Sequence, residues 1–303
     1  MSEVFTSTAA LALKDTLEDI DTDDHGSEGS KAVFPKWMTV KSMSDNYIEY
    51  YEVAGSGLAG EKPEGESIPV GTIIEGPLTR FNTRTYGQRM IVSDEALEDM
   101  KYDKVIQAAK RNNRSLWKLA DFDATLIWVR ATNTAFVGGD GQPLASTAHT
   151  LPGGSTYSNM LVTAMSPSKA SLIIANAQAM QQVGHDNLVD GVELKKATFP
   201  VQQWGVWREI LGSSMDPTPG AYNAINVINR DLDIKPVANK YWSNTTTNWA
   251  LITDADLGLM WFWRRKPKSN TWVTEDKTMM NYAITARWSR GWVNPRAVLF
   301  SNA

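Results

Sequence analysis

Residues 138–159 read Gly138-Gly-Asp-Gly141-Gln-Pro-Leu144-Ala-Ser146-Thr-Ala-His149-Thr-Leu-Pro-Gly153-Gly-Ser-Thr-Tyr157-Ser-Asn159. Glycine, proline, serine and asparagine punctuate the whole stretch, so it reads as a turn-rich connector. Upstream, Ser93 stands where an N-cap belongs, and Asp94, Glu95, Glu98 and Asp99 fill the turns that follow, where acids complement the helix dipole. A helix is expected from Asp94 to Val129, with a break near Lys101–Tyr102, and with Val105, Ala109, Leu116, Leu119, Ala120 and Ile127 as its buried stripe. Downstream, Ser166-Pro-Ser168 opens a second helix over 167–183, rich in Ala, Leu, Ile and Met. The connector joins two helical regions, and the rest of the chain is read outward from it.

Toward the N-terminus, residues 46–53 (Asn-Tyr-Ile-Glu-Tyr-Tyr-Glu-Val) are strand formers. A loose stretch, Gly55 to Gly71, holds five glycines and two prolines in seventeen residues. Strand-like segments follow at about 72–74 and 82–92. Together they predict a long β-hairpin with a wide tip. Its alternation of apolar and polar positions is imperfect, which fits a ribbon projecting from the body better than one packed on a core. A lone ribbon is marginal in water and its edges invite pairing, so a neighbour is expected to cover it.

Before the hairpin, residues 1–30 carry eight acids and one base, a net −7, which leaves +3 for the rest of a chain whose total is −4. Leu13, Leu17 and Ile20 have helical spacing, but the segment passes into a polar, linker-like run that cannot fold alone. Toward the C-terminus the expectations are a short strand with a turn in 188–200, and a helix from Gln203 to Leu211 ended by Gly212. A loop at 216–220 follows, then strands at Asp231–Pro236 and Trp249–Thr253. Two further strands within 279–300 would join near Ser289–Gly291.

Composition narrows the function classes. There is no cysteine, so disulfides, zinc–thiolate sites and cysteine nucleophiles are excluded. Three histidines (His25, His149, His185) are a poor stock for a metalloenzyme. No apolar run approaches the roughly 18 residues of a membrane span. Residues 1–13 have no basic n-region, so synthesis is expected in the cytoplasm. Twelve tryptophans are about three times the usual share, which fits a Trp-rich core or a surface spent on neighbours.

Catalytic and metal motifs fare poorly. Asp21-x-Asp23-x-His25-Gly26 has the start of a calcium loop, but its fifth position is His and its twelfth is Ala32, so it fails at two ligands. His185-Asp186 could pair a base with an orienting acid, but adjacent loop residues rarely point at each other. His149 reads as a local hydrogen-bonding residue. There is no nucleophile elbow, Walker loop, dinucleotide fingerprint or zincin motif. No catalytic residue, metal ligand or cofactor is assigned. Two basic groups are candidate DNA-facing residues. Lys104, Arg111 and Lys118 recur at spacing seven on the long helix, with Lys110 and Arg114 beside them. Arg264, Arg265 and Lys266 follow the aromatic run Trp261-Phe-Trp263 and are expected in a loop. The plain alternative for each is a solvated surface; salt-dependent DNA binding discriminates.

The connector, of the form G-x-P-L-x-S-x-x-H leading into G-x-x-Y-x-N, resembles that of the major head subunits of tailed bacteriophages, especially the Mu-like group. The order of elements is also similar along nearly the whole chain: acidic arm, projecting hairpin, long helix, connector, second helical region, returning strands. The resemblance implies an α+β protein with the Hong Kong-type phage capsid fold. Its parts would be an N-terminal arm (1–31), an extended loop (46–92), a peripheral domain with a long spine helix (32–45, 93–150, 256–303) and an axial domain (151–255). It implies a shell protein that catalyses nothing. Copies would associate as homo-pentamers and homo-hexamers in an icosahedral virion head made in the host cytoplasm. Portal and scaffolding or decoration proteins would be partners, and packaged double-stranded DNA would be contacted non-specifically. In some relatives a lysine and an asparagine cross-link neighbours; Lys62, near the hairpin tip, would be the lysine, with no supporting constellation around it. Two rival classes are an encapsulin-like nanocompartment, which would need a cargo pocket, and a cytosolic hydrolase, whose turnover would vanish on replacing His149 or His185.

Overall fold

The longest strands come from the C-terminal third, where aromatic and β-branched residues are dense. In the computed structural model, β10 (Leu259–Val273) and β11 (Met279–Trp292) pair antiparallel from Leu259↔Trp292 to Val273↔Met280. The structure describes residue 29 and residues 31–302, except 55–56, 72, 94, 96–98, 100–101, 186, 217–223, 243–247 and 275–278. The expected arm helix and the Asp21–His25 motif lie outside the described residues, as does most of the first turn after Ser93. β4 (Arg84–Ser93) pairs antiparallel with β11, and β1 (Thr39–Ser42) lies parallel to β10, giving the order β1-β10-β11-β4.

Against one face of this sheet lies α1 (Tyr102–Val129), 28 residues and so about 42 Å long. Val105, Ala109, Leu116, Ala120, Ala124 and Ile127 are buried, a helical stripe in which alanines let the helix lie close to the strands. Leu119, expected in the stripe, is exposed. Beneath the helix the core is largely aromatic. Trp128 lies between Trp37 and Trp242 at ring-centroid distances of 5.2 and 5.5 Å, and Trp261 stacks on Trp288 at 5.5 Å. Eight of the twelve tryptophans are buried (37, 128, 207, 242, 249, 261, 263 and 288), so most of the excess serves the core rather than the surface.

The second sheet, in the order β12-β9-β7-β8, is made from β7 (Leu194–Pro200), β8 (Lys235–Asn239), β9 (Trp249–Thr253) and β12 (Val298–Ser301). It is a wall between two cores. Val237, Ala250, Ile252, Val298 and Phe300 face the first core; Ala197, Phe199, Trp249, Leu251 and Leu299 face the second. A strand buried on both faces reads as a continuous apolar run, which is what Trp249–Ile252 shows. The second core is closed by α2 (Lys169–Met180), α3 (Trp204–Gly212) and α4 (Val227–Asp231) through Leu172, Ala175, Ala179, Trp207, Ile210 and Ile228. Ser168 caps α2: its Oγ accepts from Ser171 N at 3.1 Å, and Ser171 Oγ accepts from Ser168 N at 2.8 Å.

The hairpin pairs β2 (Tyr47–Ala54) with β3 (Ile74–Asn82), from Tyr47↔Asn82 to Ala54↔Ile74, and within the connector the short strands β5 (His149–Thr150) and β6 (Thr156–Tyr157) pair antiparallel. Four expectations need correcting. The segment at 82–92 does not belong to the hairpin. The chain leaves β3, turns at Thr83 and enters the main sheet as β4, because β11 offers it ten paired positions. Asp231–Pro236 is not one strand; α4 ends at Asp231 and β8 starts at Lys235. Arg264–Lys266 lie within β10 rather than in a loop, at register irregularities between Trp263, Arg265 and Lys268. The chain does not reverse near Ser289–Gly291: β11 runs on to Trp292, and β12 joins β9 in the other sheet.

Candidate functional site

The connector is held by side chains it carries itself. Asn159, fully buried, donates to Leu144 O at 2.6 Å and to Pro295 O at 3.1 Å, and accepts from Ser146 N at 2.9 Å. One amide thus closes the connector on itself and ties it to the turn before β12. The backbone continues the tie, with Phe300 N donating to Asn159 O at 2.9 Å and Leu161 N to Phe300 O at 2.9 Å. His149 is equally buried. Its Nδ1 lies 2.5 Å from Asp140 Oδ2, its Nε2 lies 3.3 Å from Leu144 O, and the Tyr157 ring covers it at 5.4 Å. An imidazole engaged at both nitrogens and closed from solvent cannot reach a substrate, so the His–Asp pair serves structure. Burial, reinforced by the Glu52 and Asp140 carboxylates, pushes the Tyr157 phenol up from its ordinary value.

Next to the connector lies a polar cluster that spans the fold. Glu52 of β2 is 4 % exposed, with Oε2 3.8 Å from His185 Nδ1. Arg296, 3 % exposed, donates to Asp190 Oδ2 at 3.2 Å and to Asp190 O. Asp186, the partner proposed for His185, lies outside the described residues. Burial, and secondarily the Asp140 charge, pushes Glu52 up to about 7, with Arg296 opposing. No sequence motif connects Glu52, Asp140, His185, Asp190 and Arg296; only the fold assembles them.

The two basic groups are placed differently. Lys104, Lys110, Arg111, Arg114 and Lys118 are all exposed on α1. At about 100° per residue they span an arc of about 120°, opposite the buried stripe, along about 21 Å of helix. The sequence from Lys104 to Lys118 contains no acid. Arg264 sits across the sheet from α1: its strand neighbours Met260 and Phe262 pack in the cluster with Phe81, and its guanidinium donates to Ser44 O. Arg265 donates to Thr285 Oγ1 at 2.9 Å, and Lys266 is exposed. The α1 bases therefore form one stripe, and Arg264 lies on the other side of the sheet.

The hairpin carries a run of strongly exposed apolar side chains, Leu58, Ile68, Val70 and Ile73, with Val70 94 % exposed. Clustered exposed apolar residues mark surfaces meant to be covered. Lys62 is exposed in the same loop. Among the described residues there is no group of three or more His, Asp or Glu that could hold a metal ion, and no helix long and apolar enough to cross a membrane.

The fold is thus a sheet covered by a long helix, a second sheet that separates two cores, and a paired hairpin with an exposed loop. Residues 78–300 match the family model described as phage capsid protein, and the chain belongs to that family. No curated protein matches the chain. Solved structures show the same fold at low identity. A chain from Microbacterium phage Oxtober96 superposes with a TM-score of 0.54 at 11% identity, covering 89% of this chain and 90% of that one. The capsid of cyanophage P-SCSP1u gives 0.52 at 13% identity, covering 87% and 85%. A virus-like particle from Pyrococcus furiosus gives 0.53 at 8% identity, covering 94% and 97%. The fold is the Hong Kong-type phage capsid fold, and the protein is a structural subunit of the virion capsid.

Proposed function

We propose that copies of this chain close into pentamers and hexamers that tile an icosahedral head around packaged double-stranded DNA, with the α1 stripe facing the polyanion. Closed rings need heterologous, head-to-tail contacts, and the exposed apolar hairpin supplies a surface that a neighbouring copy would cover. The peripheral domain would be α1 with the β1-β10-β11-β4 sheet, and the axial domain the β12-β9-β7-β8 sheet with α2, α3 and α4. This division moves β12 out of the peripheral domain, because it pairs with β9. A portal, and a scaffolding or decoration protein where the head uses one, are the heterologous partners of such a shell. The family match favours this reading over a nanocompartment.

The observation that carries the DNA contact is the acid-free run of five bases on one exposed arc. It is tested with the triple variant Lys104→Gln, Arg111→Gln, Lys118→Gln. Closed shells or rings in negative stain would establish that assembly survives the change. The slope of log affinity for duplex DNA against log salt is expected to become shallower by about 0.9 for each phosphate that is no longer neutralised. An unchanged slope would refute the assignment.

A further inference from the structure

Glu52 sits where the hairpin meets the body, and the geometry there is specific. In β2 and β3 the pairing steps from Tyr51↔Leu78 to Val53↔Glu75, so β3 carries an extra residue opposite Glu52, at Gly76-Pro77. A bulge of this kind re-aims the facing side chain and bends the ribbon. Two close approaches seat the ribbon against the connector. A Cβ on Gly76 would stand 2.6 Å from Pro152 Cγ and 3.0 Å from Glu52 O. A Cβ on Gly139 would stand 2.4 Å from Thr79 Oγ1 and 2.9 Å from Leu78 O. A side chain at either place would force its neighbours to shift, so the ribbon and the connector pack closely here, Gly76 on the Pro152 ring and Gly139 on the Leu78 backbone and the Thr79 hydroxyl, and Glu52 is buried beside them.

The groups facing Glu52 come from three other segments. The connector brings Asp140, which His149 contacts from the side, and Tyr157. The turn after α2 brings His185 and Asp190. The turn before β12 brings Arg296. Arg296 is held by Asp190 and the His149 ring by Asp140, while His185 Nδ1 stands 3.8 Å from Glu52 Oε2. Among the described residues Glu52 Oε1 is buried with no hydrogen-bond partner. A carboxylate placed so is costly in its charged form unless it is paired. A released hairpin would return Glu52 to water.

We infer that Glu52 is a proton-operated seat for the hairpin: with the carboxyl neutral the ribbon lies closed on the connector, and loss of the proton favours its release. The sign follows from linkage. Seated, Glu52 titrates near 7; in water it titrates at its ordinary 4.5. Below about 4.5 the proton is bound in both forms and exerts no bias. Between about 4.5 and 7 release sheds a proton, so rising pH progressively favours the open form. Above 7 the bias levels off, having shifted the opening equilibrium by up to about 300-fold. The hairpin bears Leu58, Ile68 and Val70, so its seating sets where that apolar loop points. The inference rests on the fold alone, and its failure would leave the shell reading intact.

The test is hydrogen exchange on the full-length protein from pH 5 to 8.5, followed in peptides covering 47–54 and 74–82, with 249–253 as the internal control. Protection factors divide out the intrinsic pH dependence of exchange, so the wild-type and Glu52→Gln profiles can be compared directly. Protection of the hairpin should fall at least tenfold across the range while that of 249–253 holds. Glu52→Gln, neutral at every pH, should keep the hairpin protected throughout. Hairpin protection in wild type that is flat with pH, or a Glu52→Gln profile that falls in parallel with wild type, would overturn the inference.

Discussion

Replacing Asn159 by alanine removes the side chain that ties the connector to the last turn, and the structure sets the scale of the loss. Asn159 makes three hydrogen bonds while fully buried. Ser146 N, on a half-buried residue, would lose its partner, which costs up to about 1–3 kcal/mol. The two acceptors suffer less. Leu144 O keeps its contact with His149 Nε2 at 3.3 Å, and Pro295 O still accepts from Val298 N. Adding a small cavity, the total is about 2–4 kcal/mol. Urea unfolding of the full-length protein, followed by tryptophan emission, reads this as a lower midpoint at unchanged slope. Asn159→Asp should cost more at neutral pH, because a carboxylate would face two carbonyl oxygens, and should recover partly as the pH falls and the carboxyl gains a proton. A loss below about 1 kcal/mol for the alanine variant, or no pH difference between the two variants, would refute the view that this amide organises the connector.

Trp128→Ala deletes a ring buried between Trp37 and Trp242, so a loss of about 3–5 kcal/mol is expected, read as a midpoint shift in the same unfolding experiment. Ser168→Ala removes the cap of α2, which carries part of the second core; it should cost about 1 kcal/mol and raise exchange in 169–180 more than in α1.

Strand content, the long helix and the connector were legible because each rests on local signals. Trp249–Thr253 has its observed bounds in the sequence, as an unbroken apolar run closed by a β-branched threonine. The α1 stripe follows from helical spacing, and only Leu119 falls outside the core, because the sheet covers a narrower arc than the apolar residues span. The basic stripe on α1 is visible for the same reason: a helix turns spacing in sequence directly into a common face. Alternation along one chain does not say which partner a strand will choose. The stretch at 82–92 reads as a strand whether it closes a hairpin or crosses to β11, and the aromatic–basic run at 261–266 reads as easily as a strand running into a loop.

The sequence by itself therefore determined most of the element types, the α+β class, the absence of thiol chemistry and the family likeness carried by the connector. Those follow from residue type and short-range spacing. Tertiary structure alone decided that β12 leaves the main sheet for β9, that His149 is sealed between Asp140 and Leu144, and that Glu52, 244 residues before Arg296, shares a buried cluster with it. The first and last depend on segments far apart in the chain coming to one place, and the second on how the connector closes on itself. Which arrangement wins is set by packing and by the cost of burying polar groups, and neither quantity exists until the chain is folded.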